Sequence, residues 1–276
     1  MTNDSTTRGS DHDTPDSPRI ETRVEGATGW LIVHNPARRN AVTLEMWRAL
    51  PGALAALAAT PGLRCVVLRG AGDATFVAGA DISEFATLRK DARSAQAYEA
   101  TNVAAFDALR ECPLPTIAMV RGFCLGGGLG LAAACDLRIA DETAHFGIPA
   151  ARLGIAYPPS AIADIVRLVG PSRAKLMFFT AQRLDAAKAR DVGLVDTLVA
   201  PGDLEAATRD LAATIALGAP LTLAAAKAGI DAVAGAMSPQ DREACERLAD
   251  ACFDSADFAE GRSAFLEKRT PSFTGR

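Results

Sequence analysis

Aromatic residues make up only 5% of this 276-residue chain, with two tyrosines, and histidine occurs three times. His12 stands in a polar N-terminal stretch, so His34 and His145 alone remain for any histidine-based proton transfer. The six cysteines (Cys65, Cys112, Cys124, Cys135, Cys245, Cys252) form no Cys-x-x-Cys pair and have no histidine cluster beside them. That argues against a metal site and for reduced, buried thiols. An excess of charge is also missing: 29 basic and 33 acidic residues give a net charge of -4 spread along the chain. Neither nucleic acid nor an anionic membrane surface is an expected partner. No apolar run is long enough and free enough of charge to span a bilayer, and the N-terminal stretch lacks the apolar core of a signal peptide, so the expected location is the cytoplasm.

What is present is the composition of a globular protein, 49% hydrophobic and 22% charged. A chain of this length buries roughly three quarters of the surface it exposes when unfolded, so it needs no disulfide or metal staple. Residues 1–19, rich in Ser, Thr, Asp and Pro, cannot bury enough apolar surface to order and are expected to form a disordered tail. Short Val/Ile/Leu-rich segments predict strands at Trp30–His34, Arg64–Arg69, Thr116–Val120 and Leu137–Ala140. Between them lie helical patterns, one capped by Thr43 with Glu45 in its first turn and one over Asp91–Leu109. Beyond about Gly170 the strand signal fades, and helices are expected at Asp185–Val192, Leu204–Ala216, Leu223–Ala236, Gln240–Asp254 (Ser238 as cap, Pro239 at the first position) and Asp257–Lys268. The fold class is α/β, with a core over residues 20–205 and a helical region over 206–276.

Two segments present small residues at a junction between an extended stretch and a helix. One is Phe76-Val77-Ala78-Gly79-Ala80-Asp81-Ile82, and the other runs from Arg121 through Gly126-Gly127-Gly128 to Gly130. Glycine there lets backbone approach a ligand, and the free N–H groups of a first helical turn carry partial positive charge. Two such N–H groups, one from each segment, would make an oxyanion hole. The alternative is that the glycines only permit close helix packing. Neither the GxGxxG dinucleotide spacing nor a GxxxxGK[ST] phosphate loop occurs.

These segments stand in a longer ordered series: Asn35-Pro36-Ala37-Arg38-Arg39-Asn40-Ala41-Val42, Gly79-Ala80-Asp81-Ile82 with Glu84, Gly122 to Gly128, Cys135-Asp136-Leu137-Arg138-Ile139-Ala140, Phe146-Gly147-Ile148-Pro149, Phe178-Phe179-Thr180-Ala181, Ala189 to Val195, and Phe265-Leu266-Glu267-Lys268-Arg269. From about Ile20 onward the chain resembles the crotonase, or enoyl-CoA hydratase/isomerase, superfamily. The resemblance implies a spiral of ββα units whose helical C-terminal region assembles a homotrimer, often paired into hexamers. It implies an acyl-CoA thioester as the ligand, with coenzyme A as part of the substrate and no tightly bound cofactor. The N–H groups of Ala80 and Gly127 would grip the thioester oxygen. Arg38, Ala41, Ala78, Asp81, Ile82 and Leu125 would follow the coenzyme A path, Phe265 and Lys268 would reach it from a neighbouring subunit, and Pro149, Ala150, Leu153 and Gly154 would line the acyl pocket. Asp81 and Asp136 are expected to shape their loops.

The chain departs from the family's pattern where the chemistry is done. The resemblance implies a hydratase glutamate at position 130 and another at position 150, but these are Gly130 and Ala150. Addition of water across a conjugated double bond needs one group to take a proton and another to give one, so an ordinary hydratase is not expected. Tyr157, in a Leu-Gly-x-x-Tyr spacing like that of the methylmalonyl-CoA decarboxylase branch, is a candidate side chain, or else a rim residue with a wet hydroxyl. The histidine which that branch carries in its GxD segment is Ala80 here. Arg152 reads as a carboxylate partner or a surface salt bridge, and His145 as a packed core histidine or a base. Three hypotheses follow: an enolate-forming enzyme such as a malonyl-type decarboxylase, a hydratase or isomerase using another acid such as Glu84, and a non-catalytic acyl-CoA binder.

Overall fold

The computed structural model describes residues 17–276. The expected tail lies outside the described residues over positions 1–16, but Arg19 already belongs to a strand. In chain order the strands are β1 Arg19–Glu25, β2 Thr28–His34, β3 Cys65–Gly70, β4 Thr116–Val120, β5 Phe123–Leu125, β6 Leu137–Asp141, β7 His145–Gly147, β8 Leu184–Asp185 and β9 Thr197–Val199. The helices are α1 Leu44–Ala58, α2 Phe85–Leu88, α3 Ala92–Arg110, α4 Gly127–Ala134, α5 Ala150–Leu153, α6 Pro159–Thr180, α7 Ala186–Asp191, α8 Leu204–Ala216, α9 Pro220–Ala234, α10 Pro239–Phe253 and α11 Ala256–Glu267.

Six strands form one sheet in the order β1-β2-β3-β4-β6-β9, in which β1 pairs antiparallel with β2 and the rest are parallel. A smaller sheet has the order β5-β7-β8. The central strands are apolar on both faces, as parallel strands covered on both sides must be. In β3, Val66 and Leu68 enter the large core under α1, α3, α4 and α6, while Cys65 and Val67 join Trp30, Ile117, Met119 and Ile139 beneath Leu204 and Ala212 of α8. Because α8 closes the second face of the sheet, the first helix of the expected 206–276 region packs as part of the core. The helices α9, α10 and α11 follow it, and several of their apolar side chains are exposed, among them Ile230, Val233 and Phe253.

Local signals account for the helix ends. Thr43 accepts from the Met46 N–H, and Asp91 and Ser238 each form reciprocal capping boxes with the third residue of their helices. Strand formation continues past Gly170, in β8 and β9, and α6 arises where no helix was expected. That helix bends at Gly170, whose φ of 76° precedes Pro171. The break divides its apolar periodicity into two short halves.

Candidate active site

The first loop is held by backbone. Val42 N–H donates to Gly79 O at 2.8 Å and Asp81 N–H donates to Val42 O at 2.9 Å, which turns the intervening Ala80 N–H to the opposite side. Two buried asparagines brace this arrangement. Asn40 Nδ2 donates to Thr75 O (2.8 Å) and Ala71 O (3.0 Å), and Asn35 Nδ2 donates to Ala41 O at 2.7 Å. Sequence reasoning included both in the motif without assigning them this work.

The second loop ends in α4, whose first residue is Gly127, so the Gly127 N–H has no acceptor within the helix. Neither Ala80 N–H nor Gly127 N–H has an acceptor among the described residues. The two are neighbours: a Cβ built on Gly127 would lie 3.7 Å from the Ala80 nitrogen. The approach depends on Gly128, where a Cβ would stand 2.2 Å from Val77 O. Only a glycine lets α4 press this closely on the first loop. Beneath them the fully buried Trp47 meets the ring of Phe106 edge-on, with centroids 5.6 Å apart.

These loops open into a cavity of about 80 Å³. Among the sequence-predicted residues, Ala78, Ala80, Ile82, Gly127, Pro149, Ala150, Leu153 and Tyr157 line it. Gly154 does not, because it ends α5 in the left-handed conformation and faces solvent. Arg38 and Asp81 meet beside the first loop instead: Arg38 Nη1 lies 3.3 Å from Asp81 Oδ1, and Asp81 accepts the Ser83 N–H at 3.0 Å. Ala41 is buried behind that loop and Leu125 lies in β5. Phe265 (83% exposed) and Lys268 sit at the far end of the chain and line no part of this cavity.

The space beside residue 130, where the resemblance implies a carboxylate, is filled by other groups. A Cβ on Gly130 would meet Phe106 Cζ at 2.6 Å and the Tyr157 hydroxyl at 3.1 Å. That hydroxyl donates to Gly126 O at 2.8 Å, and the ring packs edge-on against Phe178 with centroids 5.3 Å apart. Tyr157 is therefore no wet rim residue, since its oxygen has a protein partner and burial pushes its pKa well above that of an ordinary phenol. Burial likewise raises Glu84, whose Oε2 accepts the Leu44 N–H at 2.8 Å; Glu84 caps α1 and does not line the cavity. Asp136 accepts from Thr116 N–H at 2.7 Å and Lys227 Nζ at 2.9 Å, which is a structural role.

Two sequence expectations are corrected. His145 is exposed, because alternation along β7 sends Phe146 into the core and His145 outward. Arg152 is exposed on α5 and forms no ion pair among the described residues. Sequence reasoning missed the wall formed by α2 and α3: Phe85, Arg89, Glu99, Asn102 and Phe106 all line the cavity. Its signal was the spacing of Glu99, Asn102 and Phe106, three and then four residues apart, which places them on one face of a helix.

The fold and site have relatives. The enoyl-CoA hydratase/isomerase family matches residues 26–276. A crotonyl-CoA hydratase of Syntrophomonas wolfei is 35% identical over 249 residues, covering 89% of this chain and 94% of the relative. A short-chain-enoyl-CoA hydratase of Clostridium acetobutylicum is 33% identical, covering 89% and 93%. A crystal structure of an enoyl-CoA hydratase/carnithine racemase from Magnetospirillum magneticum superposes with a TM-score of 0.88 at 37% identity, covering 93% of this chain and 96% of that one. With a matching family profile over nearly its whole described length and these relatives in sequence and fold, the chain belongs to the enoyl-CoA hydratase/isomerase family of the crotonase superfamily.

Proposed function

We propose that this protein binds an acyl-CoA with its thioester oxygen between the N–H groups of Ala80 and Gly127, stabilises the thioester enolate there, and works without the two-glutamate water chemistry of a hydratase. The observation that carries this reading is the convergence of two unpartnered backbone N–H groups on one cavity. One such donor is worth about 3–4 kcal/mol to a developing oxyanion, because it is already oriented when charge appears. The hydratase names of the relatives support an enoyl or closely related thioester as substrate. Against ordinary hydration stand Gly130, with no space for a side chain, and Ala150, with no proton to move.

Arg38, Ala41, Asp81 and Leu125 are assigned to the coenzyme A side of the first loop, while Phe265 and Lys268 serve the site of a neighbouring subunit in a homotrimer or dimer of trimers. Light scattering tests the assembly, and a monomer would remove those two residues from the site. The test of function pairs calorimetry with kinetics. Acyl-CoA should bind, and with solvent hydroxide accepting the α-proton while the two N–H groups hold the enolate oxygen, the α-hydrogens of a saturated acyl-CoA should exchange with solvent deuterium. Absence of binding would overturn the oxyanion hole. Hydration of crotonyl-CoA near the ~10 s⁻¹ typical of enzymes would overturn the departure from hydratase chemistry. Binding with no exchange or turnover would leave an acyl-CoA binder.

A second reading draws on the Tyr157 side chain in the cavity wall, whose hydroxyl would exchange its bond to Gly126 O for one to a substrate carboxylate. A malonyl-type thioester loses CO₂ by breaking the bond between its α-carbon and its carboxylate, the electron pair forms the enolate, and water returns a proton to the α-carbon. No base is required. Release of CO₂ from methylmalonyl-CoA at no more than the uncatalysed rate would exclude it.

A further inference from the structure

Part of the cavity wall is built on α3 and runs from an apolar element beside the oxyanion loops to a polar one farther along the helix. Phe106 closes the space beside Gly130. One turn back stands Asn102, 6% exposed, whose Oδ1 has no hydrogen-bond partner. One turn further back is Glu99, ion-paired with Arg89. The Arg89 side chain is only 8% exposed and is stacked on Phe85 and Tyr98, its guanidinium carbon 4.6 and 5.2 Å from the ring centroids. Its remaining N–H groups have no acceptor among the described residues. An orphan amide oxygen and a largely buried ion pair both cost stability unless something pairs with them.

We propose that Arg89, Glu99 and Asn102 bind a neutral group, a hydroxyl, on the acyl chain, so that the preferred ligand is a hydroxylated acyl-CoA rather than a plain alkyl one. This rests on the acyl-CoA reading of the same cavity. A hydroxyl both accepts and donates, and the wall offers both halves: N–H donors on Arg89, and acceptor oxygens on Glu99 and Asn102. Charge balance selects against a carboxylate. Arg89 and Glu99 already neutralise one another, and a third, negative group would leave the site with net charge -1 in a poorly hydrated space. Position follows from helix geometry. Asn102 and Glu99 lie about 6 and 10 Å along the α3 axis from Phe106, which itself stands beside the oxyanion loops. The hydroxyl therefore belongs beyond the α- and β-carbons.

Calorimetry with hexanoyl-CoA, 6-hydroxyhexanoyl-CoA and adipoyl-CoA on the full-length protein tests this. The hydroxylated ligand should bind about tenfold more tightly than hexanoyl-CoA, the factor one additional hydrogen bond supplies. In Asn102→Leu that preference should disappear, the ratio of the two affinities falling to about one. Glu99→Gln keeps the shape but frees the positive charge of Arg89, so adipoyl-CoA should gain about tenfold. The second variant reads the same wall should Asn102→Leu fail to fold. Wild-type preference for hexanoyl-CoA or adipoyl-CoA, or an unchanged ranking in Glu99→Gln, would overturn the proposal. Failure of all three ligands to bind would instead overturn the acyl-CoA reading on which it stands.

Discussion

Restoring a glutamate at position 130 should fail to restore hydration, and the reason is steric. In Gly130→Glu the new Cβ would lie 2.6 Å from Phe106 Cζ and 2.9 Å from Cε1, against the 3.5–4.0 Å of ordinary carbon contacts. The Phe106 ring must therefore withdraw by roughly 1 Å. Held against the fully buried Trp47 on one side, it can withdraw only by moving into the cavity it lines, which disturbs that packing and narrows the space for an acyl chain. Overpacking of this kind costs about 1–3 kcal/mol, with the desolvation of a carboxylate in addition. For a chain of this size each kcal/mol lowers the melting temperature by about 2–4 °C, so the steric part alone amounts to roughly 2–12 °C. Thermal unfolding followed by circular dichroism measures the loss, and the decay of enoyl-thioester absorbance measures crotonyl-CoA hydration. Adding Phe106→Ala opens the space, so the double variant should lose at least about 0.5 kcal/mol less than the sum of the singles. A Gly130→Glu protein that melts with wild type and hydrates crotonyl-CoA faster would refute the claim that Phe106 and Tyr157 occupy the carboxylate's place.

Other substitutions separate the remaining parts of the site. Gly128→Ala places a Cβ 2.2 Å from Val77 O, so the two loops should part and turnover fall about a hundredfold, as for loss of an oxyanion donor; unchanged acyl-CoA affinity and rate would show that another contact holds the loops. Tyr157→Phe leaves Gly126 O without its donor, at a cost of about 1–3 kcal/mol seen in thermal unfolding, and an unaltered melting temperature would contradict the hydrogen bond. Glu84→Gln keeps an acceptor for Leu44 N–H and should leave turnover unchanged; a large loss would return Glu84 to the list of proton carriers. Hydrogen bonds from Arg269 and the Ser272 N–H hold the Glu260 carboxyl down to about 2. A depressed carboxylate contributes stability above its unfolded value, near 4.5, and loses it as pH falls toward 2. Acid unfolding should therefore be shallower in Arg269→Ala, and coincident pH profiles would refute the coupling.

Much of the fold was legible because burial and period coincide. The four central strands were readable as Val/Ile/Leu runs, and α8 was bounded as expected, since local sequence and tertiary packing make the same demand there. In β1, Arg19, Glu21, Arg23 and Glu25 sit on an edge strand that needs only one neighbour, so its polar residues hid its register against β2. The strands β5, β7, β8 and β9 are two or three residues long and owe their form to the loops they clamp, a tertiary cause with little local signature. Capping residues fared better: Thr43 and Ser238, read as caps, act on N–H groups three residues away, within reach of a local pattern.

The site divides along the same line. That Ala80 and Gly127 meet at one cavity was legible from the ordered loop segments that carry the family resemblance, since each lies within a short contiguous motif. Gly130 read only as a loss, because the ring that replaces the missing side chain comes from Phe106, 24 residues earlier on another helix. Phe106, Gly130 and Tyr157 form one packing unit. A glycine on α4 admits an aromatic ring from α3, and the tyrosine hydroxyl seals the gap by bonding to Gly126. The same α3 face then carries Asn102 and Glu99 toward the far end of the cavity. If the proposed acyl-CoA occupies this cavity, substitutions along α3 should alter which thioester is accepted while leaving the grip on its carbonyl oxygen in place.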